Sequence, residues 1–163
     1  MTISADMLLR LQFLVRVTQK ECRHLLVTDQ SLFACAFTLE HAKRLETDQA
    51  LSERVEAFVG RFSRLQDTLG DKLLPILLLA LGEIPAAVID NLDRAERLGL
   101  IASADQWLVM RKLRNQMVHE YVEDPEVLIN ALQAGHEFVP VLVDTCKRFN
   151  TEIQQRGWAD IPV

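Results

Sequence analysis

The segment RKLRNQMVHEY, residues 111–121, concentrates side chains that could act on a phosphate. Arg114 carries a planar fork of donors that matches phosphate oxygens. His119 is of the residue type that gives or takes a proton near neutral pH. Arg111 and Lys112 add positive charge, and no acidic residue precedes His119 in the segment. Phosphate chemistry is therefore one interpretation, and a solvated basic helix face is the other.

The sequence around this segment has no acidic cluster with the spacing of metal ligands, so a two-metal nuclease is not supported. The metal-free alternative is internal attack by a 2′-hydroxyl, a group that RNA has and DNA lacks. No cofactor or metal site is predicted.

Helical geometry separates the side chains of this segment into faces. At about 100° per residue, Asn115 and His119 are neighbours, and the Asn115 amide could orient the imidazole. Arg114 and Tyr121 are nearly in line, whereas Arg114 and His119 are about 140° apart. These two can converge if the helix loosens near His119 or if a second copy approaches. The second option predicts a homodimer with the site at its two-fold axis. The core-facing stripe would be Met110, Leu113 and Met117.

The rest of the chain must position this helix, and its pattern is helical. The chain has 163 residues, with 49% hydrophobic residues, 25% charged residues, six glycines and five prolines. This composition predicts one all-α domain over 1–163, an antiparallel bundle with a four-helix up-and-down core and additional helices. Predicted helices cover 4–27, 28–45, 51–82 with a kink near Pro75, 85–98, 103–121 and 125–153, and the tail 157–163 is predicted to be irregular.

The cysteines and the absence of a long apolar segment bear on location. Cys22, Cys35 and Cys146 are far apart in sequence and odd in number. We interpret them as small buried side chains in a reducing cytosol. The most apolar run, residues 73–82, is shorter than the roughly 20 residues that cross a bilayer, and the N-terminus lacks a signal-peptide pattern. A cytoplasmic protein without a membrane partner is expected.

The formal net charge of −5 indicates that any contact with a polyanion must be local. Arg61 and Arg64 could extend a basic groove, although exposed charges balanced by the acids at 53, 56 and 67 are the better interpretation. Three further side chains are interpreted as ordinary surface or packed histidines: His24, His41 and His136. We expect Trp107 to fill an interface and Trp158 to lie in or near the tail.

The string RNQMVHEY resembles the signature of the HEPN superfamily, and specifically of HepT-like toxins. That signature has Arg, a polar residue, three further positions, His, any residue and Tyr. The corresponding residues here are Arg114, Asn115, His119 and Tyr121. The wider segments RFSRLQDTLGDKLLPILLLALGE, RAERLGLI and WLVMRKLRNQMVHEY also resemble this family, most strongly over 51–123.

The resemblance implies a dimeric helical bundle that acts as a metal-independent endoribonuclease toxin, in a type VII-like toxin–antitoxin pair. Its antitoxin would be a minimal nucleotidyltransferase, which in some such pairs transfers AMP to the motif tyrosine. By position, Arg114 would bind the scissile phosphate and His119 would be the general acid and base. Asn115 would assist, Tyr121 would be the modification site, and Arg111 and Lys112 are weaker candidates for RNA binding. Alternatives are a non-catalytic partner of a nucleotidyltransferase and a bundle that binds a small ligand.

Overall fold

The computed structural model describes residues 2–119 and 123–160, and all regular structure within them is helical. The predicted all-α helical bundle is confirmed. A 3₁₀ turn, Arg44–Glu46, follows the second helix, and a π-helical turn, Thr68–Leu73, joins the third helix to the fourth. None of the described helices is both long and apolar enough to cross a membrane. The α-helices are α1 (Ala5–Leu32), α2 (Leu39–Lys43), α3 (Gln49–Asp67), α4 (Leu74–Ala80), α5 (Val88–Arg97), α6 (Ala104–His119) and α7 (Pro125–Gln155).

The hydrophobic core lies where α1, α3, α6 and α7 pack against one another. Each helix contributes fully buried side chains, for example Leu11, Phe62, Met110 and Phe149. Burying one such side chain stabilises the fold by about 1.5–3 kcal/mol. The polar residues of the candidate motif are therefore carried by a helix whose other face is committed to the core.

Helix capping follows the sequence at several boundaries. The Ser4 hydroxyl accepts a hydrogen bond from the Met7 backbone N–H and begins α1, as predicted. Asp124 caps α7, with Pro125 as its first residue. Before α6, the Ser103 hydroxyl accepts from the Gln106 backbone N–H at 3.1 Å. Local hydrogen bonding thus determines where these helices begin.

The predicted helix over 28–45 is wrong. Helix α1 continues to Leu32, and only the short α2 follows. Thr28 and Asp29 do not cap a new helix, because tertiary contacts engage both side chains. The Thr28 hydroxyl accepts a hydrogen bond from Arg61 Nη1 of α3, and Asp29 Oδ1 lies 2.7 Å from His136 Nδ1 of α7.

The long helix predicted over 51–82 is present from Gln49 to Ala80, but its irregularity begins before Pro75. The turn Thr68–Leu73 is π-helical, and the Leu74 backbone N–H donates to the Leu69 carbonyl oxygen five residues earlier. Proline has no N–H and its ring collides with the carbonyl four residues before it, so the preceding turn widens. An irregularity near Pro75 was therefore predicted, but the π-helical turn that precedes the proline was not.

Helix α5 begins at Val88, three residues later than predicted from Pro85. The Asn91 side chain bonds the backbone of Ala86 in both directions, at 2.8 and 3.1 Å, and holds the preceding segment in a non-helical conformation. Gly99 follows the helix with a φ of 73°, a conformation that favours glycine.

The cysteines only partly match the prediction. Cys146 is buried, Cys22 is half-buried and Cys35 is exposed. Cys35 lies in the connection between α1 and α2 and outside the core. A helix was predicted for this segment, but the segment is not helical. Cys22 in α1 and Cys146 in α7 influence each other across the two helices. The interaction of their thiols lowers the pKa of Cys22 to about 7 and, with burial, raises the pKa of Cys146.

The start of the predicted irregular tail packs against the helices. Residues 157–160 have no regular structure, and residues 161–163 lie outside the described residues. Within this segment Trp158 packs against the core. The Gln12 side-chain amide donates to its carbonyl oxygen at 3.0 Å.

The Trp107 side chain of α6 packs against the π-helical turn at Gly70. A Cβ atom at position 70 would lie 3.1 Å from two atoms of the Trp107 indole. Trp107 is only 2% exposed, so its ring has little room to move. The absence of a side chain at Gly70 is therefore what allows the indole to pack on this turn.

Replacing Gly70 with alanine tests this contact. Overpacking typically costs about 1–3 kcal/mol, and the better helix propensity of alanine returns about 1 kcal/mol. We expect Gly70→Ala to lower the free energy of unfolding by about 1 kcal/mol in urea titration.

Gly60→Ala is the matched control, because its Cβ would meet only Arg64 Nη2, at 3.7 Å. This variant should be stabilised by up to about 1 kcal/mol. If the two variants were equally stabilised, the close packing at Gly70 would be refuted.

Candidate functional site

The buried stripe of α6 fixes the orientation of the motif. Met110, Leu113 and Met117 are 0%, 6% and 0% exposed, as the three- and four-residue spacing predicts. The intervening side chains must then lie at the edges of the helix or in solvent. Arg114 lies at such an edge, facing the π-helical turn.

The Arg114 guanidinium is held by two oxygens. Its Nη2 lies 3.0 Å from Asp67 Oδ2 at the C-terminal end of α3, and its Nη1 donates to Asn115 Oδ1 at 3.1 Å. The Arg114 side chain is 29% exposed and that of Asp67 is 41% exposed. Arg114 is therefore oriented by protein contacts but remains accessible from solvent.

A second ion pair lies beside the first. Arg111 Nη1 is 3.0 Å from Asp71 Oδ1 in the π-helical turn. The later arginine pairs with the earlier aspartate, so α6 runs antiparallel to the α3–π segment. Ion pairs with this exposure contribute about 0–1 kcal/mol each. They position the arginines more than they stabilise the fold.

Two polar groups on α3 and α6 are buried and lack a hydrogen-bond partner among the described residues. One is Arg114 Nε, and the other is the Gln66 side-chain amide, one residue before Asp67 in sequence. An unsatisfied buried polar group costs about 1–3 kcal/mol. Such groups are uncommon in folded proteins, and here one of them belongs to the predicted phosphate-binding side chain.

His119 is placed differently from Arg114. It is exposed, and within residues 2–119 and 123–160 no hydrogen bond or ion pair involves its side chain. In the described part of the chain, no hydrogen bond joins the Asn115 amide to the imidazole, and the Asn115 side-chain oxygen accepts from Arg114. Helix α6 stays α-helical up to His119, so Arg114 and His119 project about 140° apart and about 7.5 Å apart along the axis.

The other residues singled out on this helix differ in where they lie. Lys112 is exposed on α6, where it could contact RNA but has no specific partner in the described part of the chain. Tyr121 lies outside the described residues. The expectation that Trp107 fills an interface between chains is wrong, because the indole packs on Gly70 within its own chain.

A recess between α1 and α3 gathers four polar residues that sequence reasoning treated separately. Glu21 and His24 from α1 and Arg61 and Arg64 from α3 line a cavity of about 270 Å³, which we call the α1–α3 recess. Arg61 Nη1 donates to the His24 carbonyl oxygen at 3.2 Å and also bonds the Thr28 hydroxyl. No ion pair joins Arg61 or Arg64 to a carboxylate within the described ranges.

The Glu21 carboxyl group in this recess is in an unfavourable position for a charge. Its Oε2 is buried without a partner among the described residues, and its Oε1 lies 3.2 Å from the Thr68 hydroxyl. Burial raises the pKa of Glu21 above its ordinary value of 4.5. The Thr68 hydrogen bond and the charges of Arg64 and Lys72 act in the opposite direction.

The other histidines have structural partners. His41 Nδ1 lies 2.8 Å from the Thr38 hydroxyl and helps to cap α2. His136 pairs with Asp29 and stacks on Phe33, with 4.3 Å between ring centroids. In the described part of the chain, no group of three or more His, Cys, Asp or Glu residues is arranged to hold a metal ion.

Sequence reasoning missed Asp67 and Asp71 as partners of the motif arginines. Each contact spans at least 40 residues in sequence. The only local signal was two acids four residues apart on one flank of a long helix, a pattern that is common on exposed helices. Nothing in that pattern identifies the helix that lies opposite.

Comparison with models of known protein families found no match, and neither did comparison with curated protein sequences or with solved structures. What supports a function for this chain is therefore the motif itself and the geometry around it.

Because burial raises the pKa of the half-buried Glu21, the free energy of unfolding should depend on pH. The folded chain holds this proton more tightly than the unfolded chain, so the stabilisation is present below about pH 4.5 and is lost as the pH rises through the raised pKa. Glu21→Gln keeps a neutral group at all pH values. We expect the variant to match wild type at pH 4.5 and to be more stable at pH 7, as measured by urea unfolding.

Glu137→Gln is the matched control, since Glu137 is exposed on α7. The difference between wild type and this control should not change with pH. The same pH response in both variants would contradict a special environment at Glu21.

Proposed function

We propose that this chain is a metal-independent endoribonuclease that cleaves RNA by 2′-hydroxyl attack, and that it is the toxin of a toxin–antitoxin pair. The observation that carries the proposal is the Arg114–Asn115…His119 signature on one helix, with Arg114 oriented at a solvent-accessible edge. An oriented arginine and an exposed histidine on one helix suit phosphate transfer, in which positioning and charge stabilisation do most of the work.

The chemistry needs two proton transfers. The 2′-hydroxyl loses a proton and attacks the adjacent phosphorus, the bond from phosphorus to the 5′-oxygen breaks, and the leaving oxygen gains a proton. The products are a 2′,3′-cyclic phosphate and a 5′-hydroxyl. His119 is the proposed proton carrier, and Arg114 would stabilise the charge that develops on the phosphate oxygens.

Arg114 must leave Asp67 at least in part to bind a phosphate. The exchange is not costly, because a partly exposed ion pair contributes only about 0–1 kcal/mol. The pair also leaves Arg114 Nε unsatisfied. A phosphate that replaces the Asp67 carboxylate would accept a charge-assisted hydrogen bond from Arg114 Nη2, the nitrogen that now donates to Asp67. In this proposal the Asp67 carboxylate occupies the position of the substrate phosphate and keeps Arg114 extended until RNA binds.

A second copy of the chain would complete the site. Since α6 is regular up to His119, one chain does not bring Arg114 and His119 to the same side of the helix. Two α6 helices around a two-fold axis could place Arg114 of one copy opposite His119 of the other. The pair of histidines would then supply one base and one acid. A homodimer is therefore part of the proposal.

The proposed antitoxin is a minimal nucleotidyltransferase that transfers AMP to Tyr121. Tyr121 follows Arg114 by seven residues, which is two helical turns if the helix continues. An AMP group there would bring a negative charge and a base next to the cations intended for RNA. It would compete for Arg114 and block access without unfolding the bundle.

Removing either central side chain should abolish most cleavage. His119→Ala should lose about 10²–10⁴-fold in rate, the usual contribution of general acid–base catalysis. Arg114→Ala should be comparably impaired, and the double variant little worse, because residues that act as one unit are not additive. The measurement is cleavage of a labelled single-stranded RNA in EDTA, with detection of the cyclic phosphate.

His41→Ala and Arg148→Ala are the matched controls for this experiment. His41 caps α2, and Arg148 pairs with Asp144 on α7. Both should retain wild-type rates. If wild type binds RNA but does not cleave it, the chain is instead a non-catalytic partner, and strict metal dependence would also overturn the mechanism.

If Tyr121 is the modification site, one substitution should separate RNA cleavage from inhibition by the nucleotidyltransferase. Tyr121→Phe keeps the ring and removes the acceptor oxygen, so it should cleave RNA but resist a nucleotidyltransferase that acts by adenylylation. Intact-mass measurement after incubation with that enzyme and ATP should show one added AMP on wild type and none on the variant. An equal mass gain on both would place the modification at another residue.

A further inference from the structure

The α1–α3 recess has features of an anion site that the motif does not include. At about 270 Å³ it lies near the lower limit of small-molecule pockets. It therefore suits a single phosphate group and not a large ligand. Two arginines and a histidine line it, together with one carboxyl group, that of Glu21, whose pKa is raised by burial.

The two arginines differ in how they are held. Both contacts of Arg61 use Nη1, so they anchor the guanidinium without using its second terminal nitrogen. Arg64 is exposed and makes no ion pair with a carboxylate in the described part of the chain. One arginine is fixed at the wall of the recess, and the other is free to close on an anion.

The recess adjoins the motif through the end of α3. Arg64 precedes Asp67, the partner of Arg114, by three residues, or about 4.5 Å along the axis. The Thr68 hydroxyl lies 2.8 Å from the Arg64 carbonyl oxygen and also contacts Glu21. In the free chain Asp67 pairs with Arg114 and not with Arg61 or Arg64.

Charge explains why such a site would matter. The chain has a formal net charge of −5, so it repels RNA overall and must bind it through local cationic positions. One arginine at the cut would hold one phosphate and leave the neighbouring nucleotides unattached. A second cationic recess one helical turn away would hold the strand at another point.

We propose that the α1–α3 recess, through Arg64 and Arg61, binds a phosphate of the RNA backbone that neighbours the scissile one. This inference rests on the proposed ribonuclease function, which it extends by a second contact with the strand. Arg64 would carry most of the affinity, since Arg61 is also bound to α1. The contact reads the backbone and not the bases.

The test compares Arg64→Gln with Arg54→Gln, both made in a His119→Ala background that keeps the RNA intact. Arg54 is exposed on the same helix, ten residues or about 15 Å from Arg64. The probe is a labelled single-stranded RNA of mixed sequence, titrated at several salt concentrations. Loss of one phosphate contact should reduce the slope of log K against log salt by about 0.7 for Arg64→Gln, and should leave it unchanged for Arg54→Gln.

Cleavage kinetics give the second measurement, in chains that retain His119. Arg64→Gln should raise KM several-fold with little change in kcat, because the contact is made equally in the ground state and the transition state. Arg64→Glu should raise KM further. Both variants should unfold like wild type, since Arg64 is exposed.

The outcomes separate this inference from the function on which it rests. If wild type cleaves RNA while Arg64→Gln and Arg54→Gln have the same KM and the same salt slope, the recess is not a phosphate subsite and the ribonuclease proposal stands. If wild type does not cleave but the salt slope depends on Arg64, the recess is supported and catalysis is refuted. If no RNA is bound at all, both proposals fail.

Discussion

The close approach of α6 to the π-helical turn is the constraint on which the candidate site depends. Trp107 packs where Gly70 has no side chain, and the indole is almost completely buried. This contact lies at the antiparallel crossing of α6 with the α3–π segment. The crossing in turn brings Asp67 to Arg114 and Asp71 to Arg111. A wider separation of the two helices would leave both arginines extended into solvent without a defined direction.

Partly exposed ion pairs suit a site that must exchange partners. Each contributes little to stability, because water screens the charges and the long side chains lose freedom when they pair. In the proposed reaction, the same weakness would let a phosphate replace the carboxylate. Buried polar groups act differently, since Arg114 Nε and the Gln66 amide keep their cost for as long as no partner reaches them. In the free chain, Arg114 is therefore held by Asp67 and Asn115, while its Nε has no hydrogen-bond partner among the described residues.

The regularity of α6 also limits what one chain can do alone. A continuous helix cannot bring side chains five residues apart to the same point, because the angle between them is fixed by the backbone. His119 is exposed, whereas Arg114 is drawn towards α3. An active site formed by these two residues would require surface from a second molecule. A motif on one helix is thus compatible with a composite site between two.

Local signals in the sequence determined much of the fold. Ser4 and Asp124 begin their helices because their side chains satisfy free backbone N–H groups. The spacing of Met110, Leu113 and Met117 correctly identified the buried face of α6. The sequence could also place Arg114, Asn115 and His119 on one helix, since that depends only on periodicity. What it could not provide was the surroundings of each side chain.

Only the tertiary structure decided which residues meet. Thr28 and Asp29 have the chemistry of caps, yet long-range partners hold them inside α1. Trp107 looked suited to an interface and is buried because a glycine 37 residues earlier leaves room for it. The pairing of Arg114 with Asp67 and the gathering of Glu21, His24, Arg61 and Arg64 into one recess have no local signal. Such contacts depend on how whole helices pack, and packing is set by the summed burial of many side chains and not by any short stretch of sequence.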